Sequence, residues 1–161
     1  MEANKKVEVK LLPAAIDNQF HGLKLAQYTF LILTIATLVR SLIHVFAPDG
    51  GAQSIATIPL ANYPADAAAA VILMFSLWGL SQLLMGVVYL VVYIKYKSLI
   101  PAMYVLMIVE YAMRIVIGQM KPIVTSSTAP GSIGNWIMVP VCIVLLVLSL
   151  TQAKPKVAAK S

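Results

Sequence analysis

The chain has 161 residues, of which 60% are hydrophobic and only 11% are charged. Soluble domains are closer to half apolar and a quarter charged, so this composition excludes an ordinary soluble domain and indicates a protein that folds in lipid. The net charge of +6 comes from lysines that flank the apolar segments and are not interleaved with aromatic residues. We therefore predict no nucleic-acid partner.

The first apolar segment is preceded by residues 1–22, which we predict to be a cytoplasmic or interfacial N-terminal segment with a short helix starting near Pro13. The first helix is predicted over 23–46. It is long enough to cross about 30 Å of hydrocarbon, so we interpret it as a retained helix and not as a cleaved signal peptide. In the connection that follows, residues 55–60 are apolar but too few to span. They are expected to rest on the membrane surface or to cap the bundle.

The second predicted helix, 67–94, is longer than a span requires and should tilt or project. A very short connection leads to the third helix, 99–120, so these two are predicted to pack as an antiparallel hairpin. The fourth helix, 133–151, contains Pro140, which should kink it or lie near its start. Residues 152–161 are predicted to be a basic cytoplasmic tail.

The lysines set the predicted orientation. Nine of them lie on one side of the predicted membrane: four up to and including Lys24 at the start of the first helix, two between the second and third helices, and three in the tail. The other two connections carry one basic residue, Lys121. The positive-inside rule then predicts an all-α, integral membrane four-helix bundle over 23–151, located in the cell membrane with both termini in the cytoplasm.

Three ionised side chains fall inside predicted spans, where charges are costly and usually face the bundle interior or a wet cavity. A helix rise of about 1.5 Å per residue places Arg40, Glu110 and Arg114 in the outer half of the membrane, at about the depth of Gln82. Helical spacing adds further residues to the same faces. We therefore predict a binding pocket that opens outward and is formed by Arg40, His44, Trp78, Gln82, Glu110 and Arg114.

Two alternatives are open for these charges. Glu110 and Arg114 are four residues apart, in the order that favours an in-helix ion pair. The pair either has a structural role, as a latch between helices, or belongs to the predicted binding pocket. Arg40 either snorkels to the outer headgroups or, with His44 and Arg114, binds an anionic group. Two arginines and one glutamate leave an excess charge of +1, which an anion would neutralise.

The second helix carries a separate face of small residues. Ala69, Ser76, Gly79 and Gly86 follow near-heptad spacing, and small residues let helices approach closely in lipid. We predict that this face packs against another helix of the same chain. The alternative is a seam with a second copy of the chain or with a partner protein.

Metal and thiol chemistry are excluded by the residues available. Cys142 is the single cysteine, which cannot form an internal disulfide, a CxxC redox pair or a cysteine zinc site, so we interpret it as a packing residue. His21 and His44 are about 34 Å apart along one helix and its lead-in, too far to clamp one haem. One intramembrane carboxylate, Glu110, is too few for a di-iron centre. No metal and no cofactor are predicted.

The WGLSQ segment at 78–82, with Gly86 on the same helix and Arg114 near the outer end of the third helix, resembles small four-helix bacterial membrane proteins catalogued as domains of unknown function. The resemblance covers about residues 23–151. It implies a four-helix fold and supplies no activity.

The sequence contains no Walker, zincin or nucleophile-elbow motif, and we predict no catalytic residue. The leading hypothesis is a non-enzymatic membrane protein. It would be an accessory subunit, or a binder of membrane lipid or another amphiphile whose apolar walls are Trp78, Met85 and Met107. A small transporter that uses Glu110 is the alternative, although a carboxylate held ionised by Arg114 is a poor proton carrier near neutral pH. A membrane enzyme is the third.

Overall fold

A computed structural model describes residues 11–151 of the chain. It contains four α-helices: α1 (Lys24–Phe46), α2 (Ala65–Lys95), α3 (Ile100–Met120) and α4 (Pro130–Leu150). Each is long and apolar enough to cross a membrane, and residues 11–151 contain no strand. This confirms, for the described residues, the predicted all-α fold with four helices that are long and apolar enough to span, which indicates a multi-pass membrane protein. The first ten residues and the predicted basic tail at 152–161 lie outside the described range.

Two helices begin earlier than the sequence predicts. α2 begins at Ala65, directly after Pro64, and α4 begins at Pro130, three residues before the predicted start. Pro130 occupies the first helical turn, where its fixed φ suits the helix and its missing N–H costs no hydrogen bond. Pro140 lies in the interior of α4, which runs through it as one helix.

The four helices pack mainly as two pairs. α1 lies against α2 and α3 lies against α4, whereas α2 and α3 make few close backbone contacts although one short turn (Lys97–Leu99) joins them. The second and third helices are thus joined by the predicted short turn, but they do not pack closely along their length as the predicted hairpin implied. A short connection brings two helix ends together, but the side chains along each helix decide which partner it packs against.

The small-residue face of α2 shows why α1 is its partner. A Cβ added to Gly79 would lie 2.6 Å from the Cβ of His44, and one added to Gly86 would lie 2.8 Å from Cδ2 of Leu38. Ser76 lies beside Gly50, just beyond the end of α1. The absence of side chains at the two glycines thus lets α1 and α2 approach closely. A second copy of the chain would have to displace α1 to use this face.

The two ends of the bundle differ in what they carry. The proximal end has the start of α1, the α2–α3 turn and the end of α4; the distal end has the α1–α2 and α3–α4 connections. In the proximal half, Phe30 is fully buried, with its ring centroid 5.8 Å from that of Tyr89 and 5.7 Å from that of Tyr104, both edge to face. Met107 and Cys142 are buried in the same cluster, here called the proximal core.

Residues 11–23 form no helix, so the predicted interfacial helix near Pro13 is wrong. The backbone groups at the end of this segment bond to other parts of the chain instead. The Asp17 amide donates to Oγ of Ser98 at 3.0 Å, this hydroxyl donates to the Asp17 carbonyl at 2.9 Å, and the Leu23 amide donates to the Leu148 carbonyl at 3.1 Å. The segment therefore ties the start of α1 to the α2–α3 turn and to the end of α4.

The α1–α2 connection starts with a tight turn around Asp49. Its carboxylate accepts hydrogen bonds from the amides of Gly51, Gln53 and Ser54, while Gly50 and Gly51 adopt φ values of +58° and +75° that favour glycine. Partial desolvation raises the pKa of Asp49, but the amides of Ser54, Gly51 and Gln53 outweigh it and lower the pKa to about 2. The turn is thus held by an ionised carboxylate.

The rest of this connection caps the bundle. Ala52, Ile58 and Leu60 are buried, and Ile72 and Phe75 of α2 pack against them. Because Gly50 lies beside Ile72, the first two turns of α2 extend beyond the end of α1, which accounts for the extra length of α2. Of the two roles predicted for residues 55–60, the structure shows the capping role.

Candidate functional site

A chain of polar side chains crosses the distal half of the bundle. Nη2 of Arg40 on α1 donates to Oε1 of Gln82 on α2 at 2.7 Å. Nε2 of Gln82 donates to Oε1 of Glu110 on α3, and Nη2 of Arg114 donates to the same oxygen as an ion pair. This polar chain, Arg40–Gln82–Glu110–Arg114, joins the α1–α2 pair to α3.

The polar chain argues against one of the two alternatives for Arg40, that of snorkelling, and binding of an anion stays a prediction. The Arg40 guanidinium turns inward to Gln82, so it does not snorkel towards the end of α1. The Glu110–Arg114 pair is both an in-helix pair and, through Gln82, a link between helices. Gln82 makes this possible because its amide presents an acceptor to the cation and a donor to the carboxylate.

Trp78 lies beneath both guanidinium groups. Its ring centroid is 5.0 Å from Cζ of Arg114 and 5.9 Å from Cζ of Arg40, distances at which a cation is attracted to the face of an indole. The centroid of the His44 ring lies 4.9 Å from that of the Trp78 ring. Nδ1 of His44 is 2.8 Å from the carbonyl oxygen of Gly50, and because a carbonyl can only accept, Nδ1 carries a proton.

A cavity of about 480 Å³ opens beside these residues, here called the inner cavity. This is within the usual size of small-molecule sites. All four helices and the α1–α2 connection contribute to its walls. Its polar walls include Arg40, His44, Tyr111, Arg114, Ser132 and Asn135. Its apolar walls include Ile55, Phe75, Trp78 and Met138.

The structure brings the six predicted site residues together, in two roles. Arg40, His44, Trp78 and Arg114 line the inner cavity. Gln82 and Glu110 do not line it, but they hold the two guanidinium groups from behind through the polar chain.

The predicted apolar walls are partly wrong. Met85 and Met107 belong to the proximal core, because each lies almost one helical turn nearer the proximal end than Gln82 or Glu110. Their place in the inner cavity is taken by Phe75 and Met138.

The contribution of α4 was missed by sequence reasoning, because α4 carries no ionised residue. The available signal was spacing: Ser132, Asn135 and Met138 are three residues apart and therefore share one face of a helix. Tyr111 was missed because it adjoins Glu110 in sequence. Its ring nevertheless lies 5.7 Å from Cζ of Arg114, three residues further along α3.

The charges of the site do not cancel. Arg40 and Arg114 carry two positive charges and Glu110 one negative charge. A guanidinium has five N–H donors, and within residues 11–151 each of these two makes one hydrogen bond. The donors that remain belong to side chains that line the inner cavity. An anion attached to an apolar body would satisfy both the charge and the walls.

No group of three or more His, Cys, Asp or Glu residues that could hold a metal ion occurs in the part of the chain that the structure describes. Comparison with protein families, with characterised proteins and with solved structures gives no match for this chain. The resemblance to small four-helix bacterial membrane proteins therefore stays a prediction.

Proposed function

We propose that this chain is a non-enzymatic multi-pass protein of the cell membrane that binds a membrane lipid or another amphiphile by its anionic headgroup. The observation that carries the proposal is the pair of guanidinium groups, Arg40 and Arg114, that line one cavity with a single carboxylate between them. Hydrogen bonds between guanidinium and oxyanion are strong and geometrically specific, and they strengthen as the local dielectric constant falls.

The depth of the two arginines supports a ligand whose head lies near the membrane surface. Arg40 lies six residues before Phe46 at the end of α1, and Arg114 lies six residues before Met120 at the end of α3. At about 1.5 Å per residue, both lie roughly 9 Å inside the distal end of their helices. A headgroup bound there would leave its apolar tail at the depth of the hydrocarbon.

A small transporter that uses Glu110 has less support. The side-chain exposure of Glu110 is 28%, but its Oε1 already accepts hydrogen bonds from both Gln82 and Arg114. Glu110 also does not line the inner cavity. Its contacts favour a role in holding the two guanidinium groups in position.

The proposal includes an orientation with both termini in the cytoplasm and the distal end outside. It is supported by nine lysines that the sequence places at or beyond the proximal ends of the helices. In a Cys142→Ala background, an impermeant maleimide added to intact cells should label Ser126→Cys and should not label Ser161→Cys, which lies outside the described residues. Labelling of Ser161→Cys with protection of Ser126→Cys would reverse the assignment.

The ligand is tested by native mass spectrometry of the protein in nanodiscs of phosphatidylglycerol and phosphatidylcholine. Arg40→Gln should lower retained phosphatidylglycerol about tenfold or more, since a hydrogen bond to a charged group contributes about 1.5–3 kcal/mol. Lys95→Gln is the matched control, because it removes one positive charge from an exposed side chain at the proximal end. Equal retention by the two variants would contradict the proposal.

A further inference from the structure

A second cavity of about 760 Å³ lies between the distal parts of α3 and α4, below the connection that joins them. We call it the lateral groove. Its walls include Ile115 and Gly118 on α3, Trp136 on α4, and Lys121 and Thr125 in the connection. Two helices that pack closely elsewhere therefore separate here, at the level where the inner cavity begins.

The lateral groove opens away from the bundle axis, towards the position of lipid. A Cβ added to Gly118 would meet no atom within 4 Å. Trp136 is 60% exposed and lies about two turns into α4, where tryptophan commonly anchors a helix at the membrane interface. Both residues lie on helices that are apolar enough to span, so acyl chains would contact this opening.

The groove is continuous with the inner cavity. Five residues line both: Ala56, Arg114, Ala129, Ser132 and Asn135. Arg114 is the charged residue among them and thus stands at the junction, with Arg40 on the inner side. Lys121 lies at the outer side of the groove, and no acidic side chain from residues 11–151 lines it. Cationic groups therefore mark the whole route from the groove to the inner cavity.

We infer that the ligand is an anionic membrane lipid that enters sideways from the leaflet through the lateral groove, with its headgroup at Arg114 and Arg40 and an acyl chain in the groove. This inference rests on the proposed function and adds the source of the ligand and its route. The open, apolar side of the groove suits a chain that is already in lipid. The positive charges along the route, from Lys121 through Arg114 to Arg40, suit an anionic head and disfavour an uncharged lipid.

The experiment uses the open space at Gly118. Gly118→Phe places a ring in the groove, and no atom lies within 4 Å of the position of its Cβ. Gly118→Ala is the matched control that keeps the groove open. Glycine has a low helix propensity, so replacing an exposed glycine within a helix does not weaken the helix. Both variants should therefore fold, and thermal unfolding in detergent checks that they do. Retained phosphatidylglycerol is then measured by native mass spectrometry in nanodiscs, alongside Arg40→Gln.

We expect Gly118→Phe to lower retained phosphatidylglycerol at least tenfold relative to Gly118→Ala, and Arg40→Gln to lower it as well. If Arg40→Gln lowers retention and Gly118→Phe does not, the lateral route is wrong and the proposed function stands. If Arg40→Gln leaves retention unchanged, the proposed function fails and the route fails with it. If Gly118→Phe converts a dimer into a monomer without loss of lipid, a second copy occupies the groove and the inference is overturned.

Discussion

The proximal and distal halves of the bundle consist of the same helices held together in different ways. The proximal half is closely packed around three buried aromatic rings, those of Phe30, Tyr89 and Tyr104. In the distal half, side-chain hydrogen bonds link three helices beside a cavity. Helices in lipid associate through van der Waals packing and through hydrogen bonds. Aromatic packing dominates in the proximal half, whereas hydrogen bonds between side chains of three helices are found in the distal half. The comparison teaches that a firm core at one end permits open space at the other.

The largest effect on stability is expected from Phe30→Ala in the proximal core. Phe30 is surrounded by protein on all sides and has no accessible surface, so its removal leaves a cavity. We expect a loss of about 3 kcal/mol, the lower end of the range in soluble proteins, because transfer of a side chain from lipid contributes less than transfer from water. The free energy of unfolding of the parent and of Phe30→Ala is measured by chemical unfolding in mixed micelles.

Trp78→Ala is the matched change in the distal half. Trp78 is 37% exposed and already borders the inner cavity, so fewer contacts are lost. It should destabilise less than Phe30→Ala and should lower retention of phosphatidylglycerol, since both guanidinium groups lie over its ring. If Trp78→Ala is the more destabilising of the two, the division of roles between the halves is wrong.

The next effect concerns the ion pair. Glu110→Ala removes the partner of Arg114 and also the acceptor of Gln82, which strands a largely buried cation. We expect a loss of about 1–3 kcal/mol. The double change Glu110→Ala with Arg114→Ala should be less destabilising, because no unpaired charge is left. A double variant as unstable as the single one would mean that Arg114 reaches water or another partner.

A smaller effect separates the two tyrosines of the proximal core. The Tyr104 hydroxyl donates to the Ala26 carbonyl at 2.6 Å, whereas the buried Tyr89 hydroxyl has no hydrogen-bond partner within residues 11–151. Tyr104→Phe should therefore cost about 1 kcal/mol and Tyr89→Phe close to nothing. Thermal unfolding of the two variants side by side checks this. A marked loss from Tyr89→Phe would show that its hydroxyl is bonded.

The smallest effect lies at the distal surface. Because the pKa of Asp49 is lowered from 3.8 to about 2 in the folded chain, its ionised form stabilises the turn at pH values above about 4. That contribution is lost as the pH falls towards 2. The difference in unfolding temperature between the parent and Asp49→Asn should thus be constant above about pH 4 and shrink below it. A difference that stays constant down to pH 2 would contradict this.

Spanning helices were predictable because a long apolar run is a local property of the sequence. The pairing of helices was not, because it depends on how faces fit. α2 packs against α1, where Gly79 fits against His44, and not along α3, although a short turn joins α2 to α3. The irregular path of the N-terminal segment likewise depends on Ser98, 81 residues away in sequence from its partner Asp17.

The candidate site was predictable where charge marked it. Arg40, Glu110 and Arg114 could be placed by helix rise and by face, because an ionised group in lipid has few acceptable positions, and Gln82 was placed with them by its depth. The wall supplied by α4 could not be placed in this way, because Asn135 and Met138 are tolerated in many environments. The orientation of Gln82 between a cation and a carboxylate also required the structure.

The packing of the helices in two pairs has a consequence for biosynthesis. α1 and α2 precede α3 in the chain and fit one another through the glycines of α2, so they can associate while the second half is still being translated. Arg40 and Gln82 belong to that first pair, and Glu110 and Arg114 to the second. The inner cavity is therefore completed only when translation and insertion have ended, and a nascent chain cannot hold its ligand.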